Sequence, residues 1–228
     1  MHMTSSSQRM TIKRGRRAGR PSGDDGDLRA LLLDAAIAQF ARVGIGATSL
    51  RSIASAAGVT PAMLHYYFGD KARLTQALIE ERLLPALAPL RTQLEQAGND
   101  PTVLVEGFVR GIGAVVAQHP WLPPLWVREV LCEGGALREV LFHQAVPQLP
   151  QMLAQRFATA QADGRLNAGL DPRLLVVSLV GLTLFPAAGA PIWRSIFAAE
   201  DLGADALIKH TLALLGRGVG ATESGKSS

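Results

Sequence analysis

Six cations, Arg9, Lys13, Arg14, Arg16, Arg17 and Arg20, precede the first acid of the chain, Asp24. Further on, Ala62, His65, Tyr66 and Tyr67 form a run of small or aromatic side chains with little charge. Cations gathered without acids neutralise phosphate oxygens, and a helix face of small, hydroxyl and imidazole groups can approach base edges. The chemistry suggested is therefore non-covalent contact with a polyanion. The formal net charge of +4 hides the asymmetry, because all 19 acids follow these six cations. Catalytic patterns are missing: there is no glycine-rich phosphate loop, nucleophile elbow or His-Glu metal motif. Cys132 is the single cysteine, which excludes an internal disulfide. His119 and His143 lack acids or cysteines at ligand spacing, so no metal, no cofactor and no enzymatic activity are expected.

The elements that must position these residues are short helices. Leu50, Ile53, Ala54 and Ala57 fall at i, i+3, i+4 and i+7, with Thr48 or Ser49 as N-cap and Gly58 as the stop. Val59-Thr60-Pro61 then restarts the chain, with Thr60 as N-cap, Pro61 at N1 and Val59 stapled onto Leu64. On this second helix Leu64 and Phe68 share the inner face, which leaves Ala62, Met63, His65, Tyr66 and Tyr67 outside. Helix, glycine turn and helix with such an outer face is the pattern in which the second helix lies in the DNA major groove. A preceding helix, capped by Asp27, carries Leu28, Leu31, Leu32, Ala35, Ala36, Phe40 and Val43 on one face up to Gly44.

This stretch resembles the tetracycline-repressor (TetR) family of transcriptional regulators. The resemblance rests on F-A-R-V-G at Phe40 to Gly44, on T-S-L-R-S-I-A-S-A-A-G-V-T-P-A-M-L-H-Y-Y-F, and on the G-D-K-A-R-L that follows. It is strong from Leu28 to Leu78 and continues only as helical layout. It implies an all-α protein with a three-helix helix-turn-helix module and a larger helical body for ligand binding and dimerisation. Thr48, Ser49, Thr60, Pro61, Ala62, His65, Tyr66, Tyr67 and Lys71 fall on motif positions that touch DNA. Thr48, Thr60, Tyr66, Tyr67 and Lys71 are expected at phosphates, Ala62 and His65 at base edges. Arg14, Arg16, Arg17 and Arg20 of the arm are expected to join them. Many relatives have Lys or Ser and then Gly after the N-cap. Pro61-Ala62 here removes a base-reading cation and leaves the operator sequence unread.

The expected layout is a disordered basic arm over 1–26, the DNA-binding domain over 27–71, the body over 72–217 and a disordered tail over 218–228. Pro85 and Pro89 predict a kink near Leu84 in the helix that leaves the module. Arg128-Glu129 is expected to be a solvated or structural pair. Arg173 to Phe185 is apolar almost all round and, with Ala204 to Leu215, is assigned to a homodimer interface through the resemblance. The apolar run from Leu174 to Ile192 is read as a buried helix and loop because Pro186, Pro191 and several glycines break it. The resemblance also implies a cavity for a small-molecule effector, expected to be apolar or aromatic, and Phe108, Trp121, Trp126, Phe142, His143, Met152 and Phe185 are the candidates to line it. The polar start has no apolar segment after it, so a cytoplasmic location without a membrane is expected. These features together predict a ligand-responsive repressor on a pseudo-palindromic double-stranded operator. The alternative is a small-molecule-binding or interaction protein whose helix-turn-helix no longer binds DNA, and the basic arm argues against it.

Overall fold

The computed structural model describes residues 23–139, 141 and 148–220, which include no β-strand. The first helix, α1 (Gly23–Val43), begins ahead of the expected Asp27 cap. An acid near a helix N-terminus is favoured by the dipole whether or not it is the cap, so Asp27 alone did not fix the start. Leu32, Leu33, Ala36, Ile37 and Phe40 form its buried stripe. Gly44 ends it at φ +91°. Helix α2 (Leu50–Ala56) opens with a reciprocal cap: Ser52 N donates to Ser49 Oγ at 3.0 Å and Ser49 N to Ser52 Oγ at 3.2 Å. Helix α3 (Pro61–Phe68) buries Leu64 and Phe68 as its period requires. Thr60 has the N-cap backbone conformation, but its hydroxyl makes no cap bond.

Helix α4 (Lys71–Leu78) is capped by Asp70, which accepts from Arg73 N at 2.8 Å. It passes through a π-helical turn, Ile79–Leu83, into α5 (Leu84–Gln96). The kink expected from Pro85 takes this form: Leu84 N donates to Ile79 O, five residues back. Glu81 O accepts from Arg82 Nη1 at 3.1 Å, a side-chain donor next to the position where proline has none. The chain therefore stays helical from Lys71 to Gln96.

Helix α6 (Pro101–Gln118) buries Leu104, Val105, Phe108, Val109, Ile112 and Val115. Helix α7 (Leu122–Trp126) continues into a second π-helical turn, Val127–Leu131. Helices α8 (Gln148–Ala162) and α9 (Pro172–Ala188) follow. Asp171 caps α9, and its hydrogen bond from the Arg173 side chain holds its carboxyl well below the usual carboxylate range. The run expected as helix and loop is two helices, since α9 carries Pro186 in its last turn and α10 (Ala190–Phe197) starts after Gly189 with a bend of 67°. Pro191 is tolerated at the start of α10, where the first-turn N–H groups have no partner within the helix. Helix α11 (Ala204–Val219) runs past Leu215, where the sequence places its end. Its last carbonyls find Asn167: Nδ2 donates to Gly218 O at 3.0 Å and the backbone N to Val219 O at 3.1 Å. No single helix among the described residues is long and apolar enough to cross a membrane.

The buried side chains form two clusters. One joins α1 to α4, the first π turn, α7, Leu137 and Leu141, and the other joins α5, α6, α8, α9 and Val219. The first core is thus shared between the helix-turn-helix and the part of the body that rests on it. Leu87 and Trp126 touch both clusters.

Candidate nucleic-acid interface and body cavity

Packing of Leu64 and Phe68 against the first core turns Pro61, Ala62, His65 and Tyr66 outward, with Tyr66 78% exposed. Tyr67 is half-buried against the core, edge-on to Tyr66 at 5.2 Å between ring centroids. His65 Nδ1 lies 2.6 Å from Gly69 O. A carbonyl can only accept, so Nδ1 carries the proton in the neutral ring and Nε2 is left as an acceptor.

Several motif residues are occupied inside the protein. Thr48 is 2% exposed and its hydroxyl donates to Gly44 O at 2.6 Å, so it is not a free phosphate donor. Lys71 Nζ donates to Ile45 O, Gly46 O and Thr48 O at 2.9, 3.1 and 3.0 Å, which engages all three of its protons. It holds the turn before α2. Both expectations read exposure into motif positions that the α1–α2 turn consumes. Ser49 remains exposed while serving as the α2 cap, and Thr60 is exposed. Arg14, Arg16, Arg17 and Arg20 lie outside the described residues.

Sequence reasoning missed Arg51, an exposed cation in the first turn of α2 with no hydrogen bond or ion pair among the described residues. Its only signal was a basic residue beside an N-cap. It also missed Glu129. The carboxylate is 4% exposed and accepts from Ile45 N at 2.8 Å through Oε1 and from Ala136 N at 3.0 Å through Oε2. Arg128 is exposed, so the expected Arg128-Glu129 pair is replaced by a bond between the body and the helix-turn-helix. Gly44 and Gly135 make room for it. A Cβ on Gly44 would come within 3.1 Å of Glu129 Oε1, and one on Gly135 within 2.3 Å of Glu129 O.

In the body, α6, α9, α10 and α11, with Pro120 and Pro123, line a partly open cavity of about 270 Å³. Val109, Ile112, Thr183, Trp193, Arg194 and Thr211 are among its walls. None of the expected lining residues among the described ones reaches it. Phe108 is core, Trp121, Trp126 and Met152 pack against the two cores, and Phe185 is 66% exposed on α9. Phe142 and His143 lie outside the described residues. Large side chains fill space, and the cavity opens where Gly113, Ala117, Ala187 and Gly203 leave it.

Residues 32–78 match the model of the bacterial regulatory proteins of the tetR family. Over 163 residues the chain is 29% identical to the HTH-type transcriptional regulator RutR of Escherichia coli (strain K12), covering 70% of this chain and 74% of that protein. Its fold matches the ketosteroid transcriptional regulator KstR2 of Mycobacterium tuberculosis with a TM-score of 0.69 at 21% identity, over 91% of this chain and 100% of that one. It also matches NalD, the secondary repressor of the MexAB-OprM multidrug efflux pump in Pseudomonas aeruginosa, with a TM-score of 0.62 at 27% identity, over 87% and 98%.

Proposed function

We propose, from the match of residues 32–78 to the tetR family of bacterial regulatory proteins, that the chain is a ligand-responsive repressor of that family. It acts as a homodimer that occupies a pseudo-palindromic operator and leaves it when a small molecule binds the helical body. The observation that carries the reading is the outer face of α3, where Pro61, Ala62, His65 and Tyr66 are exposed with little charge on a helix held by its other face. Thr60, Tyr66 and Arg51 supply phosphate contacts at its edges. The Ala62 methyl suits a thymine methyl, and the His65 Nε2 acceptor suits the exocyclic amine of adenine or cytosine. The basic arm adds contacts along an adjacent groove.

Dimerisation is supported by the outer faces of α9 and α11. Leu174, Val177 and Phe185 are 63%, 65% and 66% exposed and Leu214 is 58% exposed, an apolar band that a second copy would cover. Glu129 supports the coupling, because motion of the second π turn pulls directly on Ile45, which lies before α2.

Selection of duplexes from a random pool by the full-length protein tests this reading. The expected product is a palindrome in which His65→Ala relaxes one position per half-site from adenine or cytosine. Failure to retain any duplex overturns the reading. Deleting residues 1–21 is expected to flatten the slope of log affinity against log salt by about 5, if roughly three cations per subunit meet phosphate.

A further inference from the structure

The cavity among α6, α9, α10 and α11 is apolar in its side chains except for Thr183, Thr211 and Arg194, and no acid among the described residues lines it. Its 270 Å³ equals about nine waters at roughly 30 Å³ each, which suits a compact molecule of about ten non-hydrogen atoms. Arg194 is held in place without using its fork: Nε donates to Leu202 O at 3.0 Å and the guanidinium lies 5.3 Å from the Trp193 ring centroid. The indole is fixed in turn by its Nε1 donating to Pro186 O at 2.8 Å. The two terminal nitrogens of Arg194 have no partner among the described residues. Thr211 Oγ1 is 3.4 Å from Leu182 O, a long bond that a better acceptor would displace.

An oriented guanidinium and a weakly engaged hydroxyl beside apolar walls, with no carboxylate to neutralise the charge, form half of an ion pair. We propose that the cavity binds a compact amphipathic monocarboxylate. The carboxylate meets the Arg194 fork and the hydrocarbon or ring lies between Val109, Ile112 and Ile208. The proposal rests on the ligand-responsive reading for its consequence, and the route to DNA is short. Pro120 and Pro123 belong to the cavity wall and lead into α7, whose π-helical end carries Glu129 against Ile45. An occupant that displaces these prolines displaces the residue that holds the helix-turn-helix.

The test titrates full-length protein by calorimetry with straight, branched and aromatic monocarboxylates of four to ten carbons, and with octan-1-ol and octylamine as controls. At least one acid, octanoate for example, is expected to bind about tenfold or more tightly than the alcohol, with the amine weakest. Arg194→Gln is expected to lose that factor for the acid and keep the alcohol affinity, while Arg194→Lys recovers part of it. Ala187→Phe, which fills the cavity from α9, is expected to abolish both. Thermal melting of each variant separates loss of binding from loss of fold. The proposal is overturned if no acid in the panel binds, if alcohol and acid bind equally, or if Arg194→Gln or Ala187→Phe binds octanoate like the parent. A parent protein that binds the acid but no duplex would leave the cavity assignment standing and remove the repressor reading.

Discussion

The two π-helical turns both pack into the first core, but their polar contacts with the helix-turn-helix differ, exposed for one and buried for the other. Ile79–Leu83 meets α1 with ion pairs at the surface, Arg29 to Glu81 at 2.5 Å and Arg82 to Asp34 at 2.8 Å. Val127–Leu131 meets the turn after α1 with the buried Glu129 carboxylate, bound to two backbone N–H groups. Solvent screens the first set and leaves its geometry adjustable. The second excludes water and accepts little movement. The surface pairs tie α1 to the first π turn, and the buried carboxylate ties the second π turn to the turn before α2.

Glu129→Ala should break the comparison most severely. It leaves Ile45 N and Ala136 N without acceptors, at about 1–3 kcal/mol for each buried group, partly offset by relief of carboxylate desolvation. A net loss of about 2–4 kcal/mol is expected, seen as a fall in the chemical-denaturation midpoint. Glu129→Gln should cost less, because one oxygen remains while the amide turns an N–H toward a donor. If Glu129→Gln keeps parental stability but lowers the ability of ligand to release DNA, the carboxylate is the transmitter. Unchanged stability in Glu129→Ala would sink the idea of a buried grip.

The helix-turn-helix was legible because its determinants are local: the Ser49 cap, the glycines at φ +70° and +76° after α2 and α3, and Pro61 at N1. The grip was not, since Glu129 and Ile45 are 84 residues apart and only the fold shows that they meet. Lys71 teaches the same lesson. A lysine at a motif position is legible as a cation, but whether its donors face phosphate or the three carbonyls of a turn depends on how tightly that turn closes. The cavity was illegible for another reason. Residue size marks filled space, and this cavity opens beside small residues such as Gly113 and Ala187. Helix α10 escaped notice because Pro186, Pro191 and Gly189 look like a loop, although Pro191 fits a first turn and Ile192 and Ile196 sit one turn apart.

Gly135→Ala sharpens the comparison from the other side of the grip. The new methyl would stand 2.3 Å from Glu129 O, a backbone atom that cannot swing away, so the π turn itself must shift. A loss of about 1–3 kcal/mol is expected. The same shift should weaken operator affinity even though the residue is remote from DNA. A variant that loses stability with unaltered DNA affinity would separate the grip from the interface.

Arg29→Ala probes the surface set at its strongest member. Besides Glu81, Arg29 donates to Tyr67 O at 3.1 Å and lies 4.5 Å from the centroid of Phe68, so it joins α1, the π turn and the end of α3. Loss of these three contacts should lower stability by about 1–2 kcal/mol, and only the ion-pair part should fade in high salt.

The smallest effect is expected at the Arg82 to Asp34 pair. Asp34 is 67% exposed at its side chain and Arg82 is 25% exposed, so water competes for the carboxylate and the pair adds at most about 1 kcal/mol. Arg82 does more than pair, because its guanidinium also donates to Ala30 O at 3.2 Å and to Glu81 O beside Pro85. Asp34→Ala should therefore be nearly silent while Arg82→Ala is not. In a double-mutant cycle at low salt the coupling energy should stay below about 1 kcal/mol and vanish near 1 M salt. A coupling as large as the Glu129→Ala loss would show that the surface turn also acts as a rigid grip, and the contrast between the two π turns would collapse.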